Sequence, residues 1–230
     1  MSDVVREVTG AGGRRRDDAA VVVSGVTHGE RSPGIPILSD VSLTAMPGEV
    51  VVIEGRSGSG KSTLCQLIAG LEAPDHGRVL VDGSAAVSVR DWARLALLPQ
   101  RLGLPAELTV AENVNLPGWV RGLPARPELL EAFDLVHLAG NLTGQASRGE
   151  QQRVAIARAA ALGPVVIVLD EPTSHQDEAH ADLVAQQLLE LARAGSAVLV
   201  ATHDPRLVSE ADRVVHLHAG RHRGSPPPPH

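Results

Sequence analysis

Gly55-Arg56-Ser57-Gly58-Ser59-Gly60-Lys61-Ser62 is a complete G-x-x-x-x-G-K-[ST] phosphate-binding loop. Lys61 is the only lysine in the 230-residue chain; the other 20 of its 21 Lys and Arg residues are arginine. Where charge alone suffices, arginine serves. At Lys61 the geometry differs, because a slim four-carbon stem carries a compact ammonium over a glycine loop to the β- and γ-phosphates, where a planar guanidinium fork is too wide. The loop's glycines let backbone N–H groups turn inward, and a helix starting at the loop adds the positive end of its dipole.

The flanking sequence supports this assignment. Glu49-Val50-Val51-Val52-Ile53 reads as a buried strand running into the loop, and Ser62 to Gly70 as a helix ending at glycine, so strand, loop and helix follow in the required order. Further on, Val165-Val166-Ile167-Val168-Leu169-Asp170-Glu171 reads as a buried parallel strand delivering two acids at its C-terminal edge, where ligands bind in open α/β sheets. Asp170 suits the shell of a Mg²⁺ ion shared with Ser62, and Glu171 suits a base for the water that attacks a γ-phosphate. The alternative reading of the two acids is a favourable interaction with the dipole of the next helix.

With 43% hydrophobic and 21% charged residues, the chain has the material for one α/β domain with a substantial core. Its net charge of −6 argues against a broadly basic nucleic-acid surface, so no nucleic-acid partner is expected. Apolar runs such as Val165 to Leu169 are strand-sized, far short of the ~20 residues of a membrane helix. No apolar segment of about 7–15 residues follows the N-terminal charges, so no secretory signal is expected. The single cysteine, Cys65, is expected to be a small buried hydrophobe in a reducing compartment.

Residues 1–19 lack periodicity and are expected to form a disordered tail, with Arg14 to Arg16 offset by Asp17 and Asp18; residues 221–230 are expected to form a second, proline-rich one. Strands at Ala20 to Val26, Val41 to Ala45, Val50 to Ile53 and Arg78 to Val81 suggest an antiparallel layer. Residues 101–161 read as a helical subdomain, with segments at Val110 to Val114, Pro127 to Leu138 and Gly149 to Ala161. Then Val165 to Leu169, Glu178 to Arg193, Ala197 to Thr202, Pro205 to Ala211 and Arg213 to His218 alternate strand and helix, implying parallel pairing. The expected fold is a phosphate-loop NTPase α/β core with a mostly parallel sheet, an antiparallel β layer and an inserted α-helical subdomain.

Ser147 followed by Glu150 predicts a capping box at the start of the helix through Arg158. Around it, Ala146-Ser147-Arg148-Gly149-Glu150-Gln151-Gln152-Arg153 closely resembles the Leu-Ser-Gly-Gly-Gln/Glu signature of the ATP-binding cassette family. Other family motifs stand in order: Gln100 after Leu98-Pro99 matches the Q-loop, Ser174-His175-Gln176-Asp177 the D-loop, and His203 the switch histidine. The resemblance spans residues 20–220.

That resemblance implies a head-to-tail homodimer with two ATP molecules between the loop of one copy and the signature of the other. The loop from Gly55 through Thr63 would hold nucleotide, Ser62, Gln100 and Asp170 would hold Mg²⁺, Glu171 would polarise the water and His203 would contact the γ-phosphate. Ser147, Arg148, Gly149 and Glu150 would face the partner's ATP, and Ser174 and Asp177 would link the two sites. The family further implies an integral membrane permease docking beside the segment after Gln100, and a position on the cytoplasmic face of the membrane. Ala111-Glu112-Asn113-Val114-Asn115-Leu116-Pro117 resembles the subgroup serving lipoprotein-release, macrolide-export and cell-division permeases.

Three positions depart from the pattern: Arg148 replaces a signature glycine, His175-Gln176 occupies a D-loop site where small or apolar residues are usual, and no tyrosine is available to stack on adenine. By spacing, His28 takes the stacking place, either as an imidazole face against the purine or as a surface-loop histidine. A regulatory cassette with weak turnover is the alternative that Arg148 motivates. Repair and chromosome cassettes insert coiled coils or zinc-binding cysteines, and neither is present here.

Overall fold

The structure is a computed structural model that describes residues 18–218 and 220–223. The anticipated tails at 1–17 and 224–230 lie outside these residues. A hairpin of β1 (Val21–Ser32) and β2 (Ile35–Ala45) turns at Gly34, whose φ of 75° is left-handed. Then β4 (His76–Val81) pairs antiparallel with β1, and β5 (Ser84–Ala85) with β4, so the sheet order among the described residues is β2-β1-β4-β5.

The second sheet contains β3 (Val50–Glu54), β6 (Leu95–Leu98), β7 (Val166–Asp170), β8 (Ala197–Ala201), β9 (Arg213–His218) and β10 (Arg221–Arg223), ordered β10-β9-β3-β8-β7-β6. Its strands are parallel except at β10. This corrects two expectations. Val50 to Ile53 belongs in the middle of the parallel sheet rather than in the antiparallel layer, since a run that is apolar at every position buries both faces. Arg221 to Arg223 is not tail but a strand returning on β9 after Gly220, whose N–H donates to Ser59 O (3.1 Å) and whose carbonyl accepts from Ser39 N (2.7 Å).

Side chains alternate along the parallel strands, and the two faces build two cores. Val51 and Ile53 pack with Val168, Leu199 and the antiparallel sheet, with helix α1 (Lys61–Ile68) between the layers. Cys65 on α1 is 1% exposed, as the sequence predicts for a small hydrophobe, and burial pushes its thiol pKa far up. On the other face, Val50, Val52, Ile167 and Leu169 pack with α2 (Val110–Trp119), α3 (Pro127–Ala132), α4 (Arg148–Ala160), α5 (Glu178–Arg193) and α6 (Pro205–Glu210).

The expected helix from Pro127 to Leu138 breaks into α3 and a 3-10 turn at Val136–Leu138, because Asp134 sits at φ 52° and cannot continue the helix. Just before it, Phe133, the sole phenylalanine, is 1% exposed in the second core. Truncating it leaves a cavity that rigid neighbours fill only partly. Phe133→Ala should therefore lower stability by about 3–5 kcal/mol, read as a fall in the urea midpoint at unchanged slope.

Candidate functional site

Four neighbouring parallel strands deliver functional groups at their C-terminal ends. After β3 comes the glycine loop with Lys61; after β8, Thr202 and His203; at the end of β7, Asp170 and Glu171; after β6, Gln100. The sheet order therefore explains why residues scattered from position 55 to 203 line one open cleft of about 880 Å³. All of Gly55 to Thr63 lies on it, with Arg148, Gln152, Ser174 and His175.

The loop is shaped for an anion. Gly60 is the N-cap of α1 with φ 102°; no side chain caps this helix and no acid occupies its first turn. Its first N–H groups are thus left to a ligand in the cleft. Lys61 Nζ donates to Gly55 O at 2.7 Å, folding the ammonium back over the loop. A Cβ at Gly55 would stand 2.5 Å from Leu217 O, so only glycine permits this tight turn. Among the described residues the buried Ser59 Oγ has no hydrogen-bond partner, and the exposed Ser62 faces the cleft.

Glu171 is held from several sides. Its φ of 52° is left-handed, a strain of about 1–2 kcal/mol in a residue with a Cβ. Its N–H donates to Ala201 O (2.8 Å), while its carbonyl accepts from Gln152 Nε2 (2.7 Å) and Ser174 Oγ (2.8 Å). Thr202 Oγ1 donates to Glu171 Oε2 at 3.3 Å, and His203 Nδ1 stands 3.3 Å from the same carboxylate. His203 is 81% exposed, free to turn toward a ligand once its contact with Glu171 yields. Asp170 is buried at the strand end, and among the described residues no donor is bonded to its carboxylate, which leaves it for a cation.

At the start of α4, Ser147 Oγ accepts from Glu150 N (3.3 Å) and Glu150 Oε2 accepts from Ser147 N (2.7 Å), the predicted capping box. The Ser147 N–H, first among its contacts, holds the Glu150 carboxyl below the usual carboxylate range. Because the Ser147 oxygen acts here as acceptor, its hydroxyl proton is free to donate elsewhere. Asp177 caps α5 by accepting from His180 N at 2.9 Å. The two glycine positions of the signature differ sharply: a Cβ on Gly149 would lie 2.8 Å from His175 O, whereas Arg148 is exposed and projects onto the cleft. A side chain is thus accommodated at 148 and excluded at 149.

His28 does not reach the cleft. Its ring is largely buried, with Nε2 3.4 Å from Glu72 Oε1 and Nδ1 3.4 Å from Asp75 Oδ2, and Asp75 also accepts from Gly29 N at 2.8 Å. The ring packs beside these carboxylates, and among the described residues its Nδ1 makes no hydrogen bond. The β1–β2 hairpin instead contributes Arg31, whose Nη2 donates to Gly58 O, and Ile37. Neither was singled out by spacing. Only the hairpin's fold over the loop shows them, although a planar guanidinium in an aromatic-poor chain is a usable hint.

Fold and cleft together define a phosphate-loop nucleotide-binding protein with a two-layered β core and a helical arm. The ABC transporter family model matches residues 38–174. A lipoprotein-releasing system ATP-binding protein LolD of Granulibacter bethesdensis is 42% identical over 199 residues, covering 80% of this chain and 87% of that protein. The LolD of Novosphingobium aromaticivorans is 43% identical over 200 residues, covering 81% and 89%. Among solved structures, a dimeric ATP-binding cassette in a post-hydrolysis state with ADP and Pi superposes with a TM-score of 0.80 at 32% identity, over 89% of this chain and 97% of that one. The chain belongs to the ABC transporter family and is an ATP-binding, ATP-hydrolysing subunit of it.

Proposed function

We propose that this subunit dimerises on ATP and that each round of hydrolysis drives a separate membrane permease of the lipoprotein-release type. The observation that carries the catalytic half is the convergence of four strand ends on one cleft. Lys61 and the open N–H groups of α1 bind the β- and γ-phosphates. Ser62, Gln100 and Asp170 would hold Mg²⁺, which neutralises the phosphate charge when bound. Glu171 orients and deprotonates the attacking water, and His203 turns from Glu171 to the γ-phosphate. Ser147, Arg148, Gly149 and Glu150 of one copy close over the nucleotide of the other. Arg31 and Ile37 offer the adenine ring a planar cation and an apolar surface.

The transport half rests on a second groove, of about 350 Å³, which shares Pro99 and Leu102 with the cleft. Leu71 and Trp92, 64% and 49% exposed, stand on its wall. Among the described residues no helix is long and apolar enough to cross a membrane, so work on a bilayer requires another chain. An exposed tryptophan beside the Gln100 segment suits a short amphipathic segment of a multi-span permease on the cytoplasmic side. Crosslinking in native membranes followed by affinity capture should recover a multi-span protein, and Leu71→Asp with Trp92→Asp should lower its yield about tenfold without changing ATP affinity. Recovery of no multi-span protein, with full ATPase activity in the isolated chain, contradicts this half.

Arg148 on the cleft favours a second reading, a regulator that binds ATP and scarcely turns over. Steady-state hydrolysis with the membrane partner present decides between them: negligible wild-type turnover restored by Arg148→Gly establishes the regulator.

A further inference from the structure

The turn after Glu171 and the start of α4 are joined by an amide that uses both its ends. Gln176 Nε2 donates to Gly149 O at 2.9 Å, and its Oε1 accepts from Arg153 Nη1 at 3.1 Å. Arg153 is 4% exposed; its other recorded bond runs from Nε to Phe133 O at 3.0 Å. Among the described residues, Gln176 is therefore one of two acceptors for this buried guanidinium. Its neighbour His175, at φ 64°, presses its carbonyl against the Cα of Gly149 so closely that a Cβ there would clash.

On the other side the same turn is tied to the hydrolytic centre. Gln152 Nε2 donates both to Glu171 O (2.7 Å) and to Ser174 Oγ (3.1 Å). The resulting path runs Glu171, Ser174 and Gln152 along one strand of contacts, and Gln176, Gly149 and Arg153 along the other. An apolar residue at 176 would satisfy neither Gly149 nor Arg153. Glutamate would satisfy Arg153 but set an anion against the Gly149 carbonyl.

We infer that Gln176 is a positioning residue that locks the Ser147–Gly149 turn to the Glu171 turn of the same copy, so that the surface offered to a partner's nucleotide and the hydrolytic carboxylate move as one body. This rests on the composite two-copy site proposed above. Gln176 does not line the cleft; it acts through Gly149 and Arg153. Its loss should therefore leave one-copy nucleotide binding intact and damage only what depends on the orientation of α4.

The test uses the full chain carrying Glu171→Gln, compared with the same chain also carrying Gln176→Leu or Gln176→Glu. Two quantities are read: amide hydrogen exchange over residues 147–153 in the nucleotide-free monomer, and the dimer dissociation constant in saturating Mg·ATP. Gln176→Leu should speed that exchange and weaken dimerisation, each by about tenfold, with Gln176→Glu intermediate and monomer affinity for a fluorescent ATP analogue within about twofold of the parent. Unchanged exchange and dimerisation in Gln176→Leu overturn the inference, and so does a loss of monomer affinity in step with dimerisation, the mark of a merely structural role. If the leucine variant does not fold, the glutamate variant, which keeps the Arg153 acceptor, carries the same two readings. A parent that fails to dimerise sinks the composite-site proposal by itself, while the exchange measurement still decides Gln176.

Discussion

Lys61→Ala should weaken ATP binding at least about 100-fold, the equivalent of one or two charge-assisted hydrogen bonds at about 1.5–3 kcal/mol each. Lys61 is the one cationic side chain of α1, and that helix has no side-chain cap and no acid in its first turn to compete with an anion. Lys61→Arg should fare nearly as badly, since its fork does not thread the turn that Gly55 makes against Leu217 O. Neither change should lower stability much, because among the described residues the bond lost is that to Gly55 O. Titration with a fluorescent ATP analogue checks this, alongside a urea melt to show that the fold is kept.

The second large effect concerns rate rather than affinity. Glu171→Gln keeps the side-chain shape and an oxygen that accepts from Thr202 Oγ1, so the strained backbone at φ 52° and its hydrogen bonds should survive. What it removes is basicity. Steady-state hydrolysis should fall by about 10²–10⁴-fold while ATP affinity is retained. Should Glu171→Gln hydrolyse ATP at the wild-type rate, Glu171 is not the base, and the proton would have to pass through His203, which stands 3.3 Å away.

Much of the site was readable from residue types because phosphate chemistry constrains them so strongly. One lysine among 20 arginines, within a glycine frame, leaves little freedom of interpretation. The fold was legible to the same degree where periodicity was long, as in α5, whose ends at Glu178 and Arg193 match the pattern, and in β9 from Arg213 to His218. It failed where runs were short. Leu95-Ala96-Leu97-Leu98 follows Asp91-Trp92-Ala93-Arg94 without a break, so β6 could not be told from a turn of helix. Val50 to Ile53 is apolar at every position, as a parallel interior strand is, but the turns around it read as an antiparallel layer until its neighbours β8 and β9 are known.

The site residues missed share one property: their role depends on a distant backbone. Gln152 reaches Glu171 O across 19 positions and Arg31 reaches Gly58 O across 27; Gln176 is placed in the D-loop by the sequence, but not its bond to Gly149 O across 27 positions. No local pattern encodes such pairings. His28 failed for the opposite reason. Its spacing from the loop fits a stacking role, but the ring lies off the cleft beside Glu72 and Asp75, whose position depends on the connection between α1 and β4.

The most direct test of two copies sharing ATP is the mass in solution of the Glu171→Gln chain, measured by light scattering with and without saturating Mg·ATP. The composite site predicts 24.0 kDa without nucleotide and about twice that with it, the shift being lost when Lys61→Ala is added. A particle that stays at 24.0 kDa in saturating Mg·ATP contradicts the account.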